Sequence, residues 1–230
     1  KNSVNPFLTC SHISGLDMLK KISIIILLIT QWSFSQTEND DYNIYGSVIG
    51  KKLDLQNQND TKKILLVDTY DEEFNLHQQI LNNNSDKVTD EDIDILSMMT
   101  HKDTTFLKRF KNEKGLKEII VQLTYDTSEH PKVESELIPG FNFSLQSISA
   151  KKFRSFIGPK KNFKRGWKRL QRKYNMDKII MFSQVKYLDN FAATFYEYYC
   201  GTLCGSGNIV IFEKVNDKWL ILTEINLWTS

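Results

Sequence analysis

An α+β fold is expected of this chain: helices and short strands in the N-terminal part, then an antiparallel β-meander of about four strands at the C-terminus. Three observations predict it. The last fifty residues divide into four β-rich runs, KIIMFSQVK, NFAATFYEYYC, GNIVIFEKV and KWLILTEINLW, separated by turn residues, and the Asn216-Asp217 pair suits the tip of a tight hairpin. Tyr42, Tyr45, Val48, Ile49 and Leu53 recur close to helical spacing. Ile64 to Val67 form a short apolar block of the buried-strand type.

The elements follow in order. In MLKKISIIILLITQWSFSQ, the basic pair Lys20 and Lys21 precedes an apolar block from Ile22 to Ile29 and the small-x-small signal Ser33-Phe34-Ser35. That is the layout of a secretory signal peptide. The block is far shorter than the roughly 20 residues that span a bilayer, so no stable membrane insertion is expected. Cleavage is predicted between Ser35 and Gln36, with Met18 as initiator. The chain then divides into upstream or non-native residues 1–17, a signal peptide at 18–35 and a single α+β domain at 36–230. The mature protein would be secreted or periplasmic.

Further along, NNNSDKVTDEDIDILSMM reads as a polar loop and a short helix, with Thr89 as N-cap and Asp90, Glu91 and Asp92 placed where the helix dipole favours anions. EIIVQLTY (Glu118 to Tyr125) and FNFSLQSI (Phe141 to Ile148) read as strands. Phe163, Trp167, Leu170 and Tyr174 define one helical face, which Gly166 weakens by about 1 kcal/mol, so that Gly166 is an alternative starting point for the helix. In the final strand Trp219, Ile221, Thr223, Ile225 and Leu227 are expected on one face. Leu220, Leu222, Glu224, Asn226 and Trp228 take the other.

Charge is balanced in sum but not in distribution. The chain carries 30 Lys and Arg against 28 Asp and Glu; cleavage after Ser35 would remove Lys1, Lys20, Lys21 and Asp17, leaving 27 of each. A polyanionic partner therefore cannot be inferred from net charge. Locally the picture differs: residues 36–100 hold 14 acids and 5 bases, whereas residues 101–180 hold 8 acids and 19 bases. Eleven of those bases lie between Lys151 and Lys173 with no acid among them. If Phe163, Trp167, Leu170 and Tyr174 point inward, then Lys164, Arg165, Lys168, Arg169, Arg172 and Lys173 fan over the solvent side. They form a candidate anion-binding face, although a plain solvated face is the default. The interleaved aromatics are then unavailable to stack on bases, which disfavours nucleic acid as a partner. Weak binding to an anionic surface remains open.

The stretch CGTLCGSG offers three chemistries. Cys200 and Cys204 have three residues between them where a thioredoxin-type dithiol has two at a helix N-terminus. Zinc needs four ligands, and His77, His101 and His130 are scattered. A disulfide between Cys200 and Cys204 is the favoured outcome, closing a short ring worth about 2 kcal/mol in the chain-entropy model. Gly201, Gly205 and Gly207 are expected to supply positive backbone dihedrals there.

The segment AATFYEYYCGTLCGSGNIVIFEKVNDKWLILTEINLW resembles the C-terminal part of uncharacterised secreted bacterial proteins, in which a β-rich run leads into CGxLCGxG, a strand, a Lys-rich turn, a Trp and a last strand. The resemblance implies kinship and an extracytoplasmic setting, and it carries no activity.

Other motifs are incomplete. Asp90, Asp92 and Asp94 begin like a calcium loop, but Ile95 and His101 occupy the positions that need Gly and Glu. Asp68 and Asp71 follow the ILLV strand without the second Asp that a phosphotransferase would place at Tyr70. Ser149 and Lys152 match an S-x-x-K spacing that short windows meet by chance. No cofactor or metal is called for. The expected function is a binding or structural module without catalysis. One alternative is an extracytoplasmic enzyme with a pocket on a curved antiparallel sheet, cystatin-like or nuclear-transport-factor-like, lined by Tyr196, Tyr198 or Glu197. The other is an anion-binding surface protein.

Overall fold

The computed structural model describes residues 40–52, 63–69, 97–100, 103–124, 132–139, 144–158 and 162–230. The expected leader and its upstream residues, Leu53, Asp71 and the helix start at Thr89 with its acidic cluster lie outside the described residues. Along the chain come α1 (residues 40–52), β1 (Lys63–Val67), α2 (Thr104–Asn112), α3 (Lys114–Thr124), β2 (Ser144–Ile148), α4 (Ala150–Phe156) and α5 (Phe163–Tyr174). The strands β3 (Lys178–Phe182), β4 (Lys186–Leu188), β5 (Phe191–Gly201), β6 (Cys204–Val215) and β7 (Lys218–Thr229) complete the order.

Helices and a mixed sheet of seven strands make this an α+β chain, with most strands in the C-terminal part. The strand order is β2-β1-β3-β5-β6-β7, with β4 also on β5. The strands β5, β6 and β7 pair antiparallel with their sequence neighbours, as a meander does. The meander is not a separate layer: β3 runs antiparallel to β5 on one side and parallel to β1 on the other, and β1 is parallel to β2. Parallel pairing requires a long crossover, which short-range turn signals do not reveal. That is why the sequence shows the hairpins and the individual strands but hides which strands pair in parallel.

β3 and β4 are two parts of one row beside β5. Between them Ser183 makes a bulge: its N–H donates to the Phe195 carbonyl, and its hydroxyl oxygen accepts the Phe195 N–H, both at 2.9 Å. The side chain thus satisfies a buried donor that the broken ladder would leave unpaired. At the far end, Asn216 and Asp217 take φ of 50° and 59°, the left-handed values that a two-residue hairpin demands.

The sheet has an apolar core on each face. One core joins Leu65, Val67, Ile179, Phe195, Ile211 and Ile225 to Phe106 and Phe110 of α2, Ile119 and Ile120 of α3, and Trp167 and Leu170 of α5. The other joins Ile64, Leu66, Ile180, Phe182, Tyr196 and Phe212 to Tyr42, Tyr45, Val48 and Ile49 of α1. Alternate residues of β1 serve opposite cores, as strand periodicity requires.

Two expectations need correction here. Residues 118–124 of the run EIIVQLTY are helical, the C-terminal part of α3. Leu116, Ile119, Ile120 and Leu123 fall at i, i+3, i+4 and i+7 and are all buried in the first core. That stripe outweighs the β-branched composition, because tertiary burial stabilises more than intrinsic propensity does. The final strand also does not keep one set of residues on one face. Its register against β6 shifts between Ile211 and Phe212 and again between Gly207 and Asn208. Trp219 and Ile221 therefore pack on the α1 side while Ile225 and Leu227 pack on the other. A bulge inserts one residue and flips the alternation beyond it.

Candidate functional site: the cationic face of the last helix

The helix α5 starts at Phe163, not at Gly166. Asn162 caps it, its side-chain oxygen accepting the Arg165 N–H at 3.0 Å. Asn175 ends it in a left-handed conformation, φ 50° and ψ 46°, with its N–H returned to the Gln171 carbonyl. Gly166 is a contact residue: a Cβ there would stand 2.3 Å from the Phe156 carbonyl oxygen. The glycine lets α5 lie against the end of α4, and that tertiary contact offsets its poor propensity.

Trp167 and Leu170 are buried, and Phe163 and Tyr174 pack on the same core, so the expected apolar face is the inward one. Its geometry turns all six candidate cations to solvent. The structure divides them. Lys164, Arg165, Lys168 and Arg172, with Asn162, line an open depression of about 340 Å³. Arg169 and Lys173 instead lie over the ring of Phe156, at 5.2 and 5.7 Å from its centroid, with Lys152 at 6.0 Å on the same ring. Such contacts hold a cation by the ring quadrupole.

The ion pairs of the described residues lie elsewhere. Arg109 of α2 binds two carboxylates, Glu113 and Glu213, at 2.7 to 3.0 Å. Its hydrogen bonds lower the pKa of both carboxyls. Lys51 and Lys52 each reach Glu224 at 2.9 Å. Among the described residues no carboxylate is within ion-pair distance of Lys164, Arg165, Lys168 or Arg172. Four cations around one depression thus repel one another without internal compensation, an arrangement that an external anion relieves.

The CGTLCGSG hairpin stands at the same end of the molecule. Cys200 and Cys204 are at disulfide distance, with Cα atoms 5.2 Å apart. The turn between them is Thr202-Leu203. The glycines play a different part from the one expected, since none of Gly201, Gly205 and Gly207 has a positive φ. A Cβ on Gly205 would meet the Tyr199 ring at 3.0 Å, and one on Gly207 would meet Trp228 Nε1 at 2.0 Å. These residues are small so that aromatic rings can lie on the strand. The Tyr199 ring is 5.9 Å from Phe163 and 5.8 Å from Trp228, which ties the hairpin to the first residue of α5.

Two glutamates are largely withdrawn from water. Glu197 faces the α5 side and accepts the Tyr199 hydroxyl at 2.8 Å. Burial raises its pKa, and the tyrosine only partly opposes that. Glu224 faces α1 and accepts the Tyr196 hydroxyl at 2.5 Å as well as both lysines. Burial again disfavours its charge, but Tyr196, Lys51 and Lys52 outweigh it and hold the carboxyl down at about 2. Of the three residues offered for a pocket, Tyr196 and Glu197 are buried under opposite helical layers, and Tyr198 packs half-buried beside Lys178, whose Nζ is 5.6 Å from its ring.

The remaining motif residues build the backbone exits. Asp68 ends β1 and accepts the Ala150 N–H at 3.1 Å, and Ser149 caps α4 by accepting the Lys152 N–H at 3.3 Å. Their spacing is that of a helix start. Among the described residues no three His, Cys, Asp or Glu side chains cluster as a metal site would require. No described helix is long and apolar enough to cross a membrane. Sequence reasoning did not find the Lys51, Lys52 and Glu224 cluster or the Arg109 clamp. Arg109 and Glu113 stand at i and i+4, which is a sequence signal, but Glu213 and the Lys51, Lys52 and Glu224 cluster join residues more than 100 positions apart, which is none. No protein-family model, curated protein or solved structure matches the chain.

Proposed function

We propose that the protein is a non-catalytic binding module of an extracytoplasmic compartment, secreted or periplasmic, and that its working surface is the cationic face of α5. The ligand class is a polyanion bearing phosphate, sulfate or carboxylate groups. The observation that carries this reading is the convergence of Lys164, Arg165, Lys168 and Arg172 on one depression with no carboxylate beside them among the described residues. A rigid helix, capped at Asn162 and anchored through Trp167 and Leu170, fixes the backbone under the four cations, so that binding orders only their side chains. Cys200 and Cys204 at disulfide distance favour an oxidising compartment, as does the likeness of their motif to secreted bacterial proteins.

Retention on immobilised heparin tests the proposal. The protein should bind at low salt and elute as ionic strength rises, because exposed charges are screened over about 10 Å at 0.1 M. A variant with Lys164, Arg165, Lys168 and Arg172 all replaced by Gln should pass through the column while unfolding at the same temperature as the parent. Equal retention of both proteins would sink the idea.

A further inference from the structure

The hairpin tip adds an apolar feature to the cationic end of the molecule. Leu203 is 88% exposed, the most exposed of the large hydrophobic residues described. A single exposed leucine is ordinary on a protein surface. This one is placed unusually, at the outermost turn of a hairpin whose two sides are held together at Cys200 and Cys204. The tip is also not remote from α5. Tyr199, packed on Phe163, lies four residues before Leu203, at most about 13 Å away for a chain that rises about 3.3 Å per residue. Lys164 and Arg165 directly follow Phe163. The hairpin that carries this leucine thus packs, through Tyr199, on the start of the helix whose four cations have no carboxylate partner among the described residues.

We infer that this end docks on the surface of a lipid bilayer carrying anionic headgroups, with Leu203 entering the headgroup–acyl boundary and Lys164, Arg165, Lys168 and Arg172 meeting lipid phosphates. The inference rests on the anion-binding reading above and adds the identity of the surface. Charge complementarity selects the headgroups, and the leucine separates a bilayer from a soluble polyanion, which has no apolar interior to accept it. Neither feature is enough alone. Peripheral anchoring takes two signals, one apolar and one electrostatic, and the protein carries them on two elements in contact, the β5–β6 hairpin and α5. Docking is shallow, since one leucine and no membrane-spanning helix among the described residues are involved.

Co-sedimentation with vesicles of equal parts phosphatidylglycerol and phosphatidylcholine, run beside heparin retention, tests it. The parent should sediment with these vesicles and not with pure phosphatidylcholine. Leu203→Asp should lower vesicle affinity about tenfold or more, the loss expected when one leucine is no longer buried, while heparin retention stays as in the parent. Leu203 is exposed, so the variant should fold, and an unchanged unfolding temperature checks that. Vesicle binding by Leu203→Asp equal to the parent's would overturn the inference and leave the anion site standing. Heparin retention without any vesicle binding would overturn it too and identify a soluble polyanion. Failure to bind either would overturn both readings.

Discussion

Glu197 and Glu224 sit on β5 and β7 of the same sheet, on opposite faces, each under a helical roof and each with a tyrosine hydroxyl donating to it. Their electrostatic fates are opposite. The roof over Glu224 is α1, which delivers Lys51 and Lys52 to the carboxylate and holds it ionised down to about 2. The roof on the other side includes α5, the most basic helix described, yet none of its cations turns inward to Glu197, whose pKa rises through burial. Cations within reach of a buried acid have been spent there on one face and withheld on the other. Positive charge that α1 uses to hold itself to the sheet, α5 leaves outside, available to an external anion.

Replacing Glu224 by Ala should break the contrast most severely. It leaves the buried Tyr196 hydroxyl without its acceptor and returns Lys51 and Lys52, both partly exposed, to water, and the expected loss is about 3 kcal/mol at most in chemical denaturation. Because the folded pKa of Glu224 lies below its unfolded value near 4.3, its contribution is present above that value and fades as pH falls toward 2. The parent should therefore lose stability through this acid window, and the Ala variant should lose less.

Gly166→Ala comes next and checks that α5 is a roof pressed on α4. In an exposed helix the change would stabilise by about 1 kcal/mol. Here the added methyl meets the Phe156 carbonyl oxygen, so destabilisation of about 1–3 kcal/mol is expected in a urea titration. A more stable Ala variant would show that the two helices do not touch as described.

Glu197→Gln should have the opposite sign to the loss of Glu224. An acid whose folded pKa is raised destabilises the native state once pH exceeds the unfolded value, and most strongly above the folded one. The amide keeps an oxygen for the Tyr199 hydroxyl and removes the charge. At neutral pH the variant should match or exceed the parent by about 1 kcal/mol, and the gain should vanish in acid. Thermal unfolding of both proteins at pH 4 and at pH 8 reads the difference.

Substituting Gln for Lys164, Arg165, Lys168 and Arg172 together should change stability least, by less than about 0.5 kcal/mol, because exposed charges without partners stabilise little. A large loss would mean that these cations hold the fold and would remove the contrast with Lys51 and Lys52.

Much of this architecture was legible in local patterns. The helical face of Phe163, Trp167, Leu170 and Tyr174, the outward fan of six cations, the buried strand of Ile64 to Val67 and the Asn216-Asp217 turn depend on spacing along the chain, and spacing is what a sequence displays. The end of α3 reads as a strand because a run of β-branched residues and a helical stripe coexist there, and the stripe prevails where β4 and β5 cover it. The two shifts in β7 were hidden because a bulge is set by the partner strand. Gly205 and Gly207 of CGTLCGSG suggest turn geometry, when the reason for them is the rings of Tyr199 and Trp228 that lie over the strand.

By itself the sequence determined which residues alternate or recur, where the turns and caps fall, and that the basic run between Lys151 and Lys173 carries no acid. Only the tertiary structure decided which carboxylates receive those or other cations, since Glu224 meets Lys51 and Lys52 across more than 170 residues of chain. Coulomb interaction depends on distance in space and on burial, and neither is a function of distance along the sequence. The same reason explains why α5 is recognisable as basic from its residues, while only the placement of the described carboxylates shows that none of them pairs with Lys164, Arg165, Lys168 or Arg172.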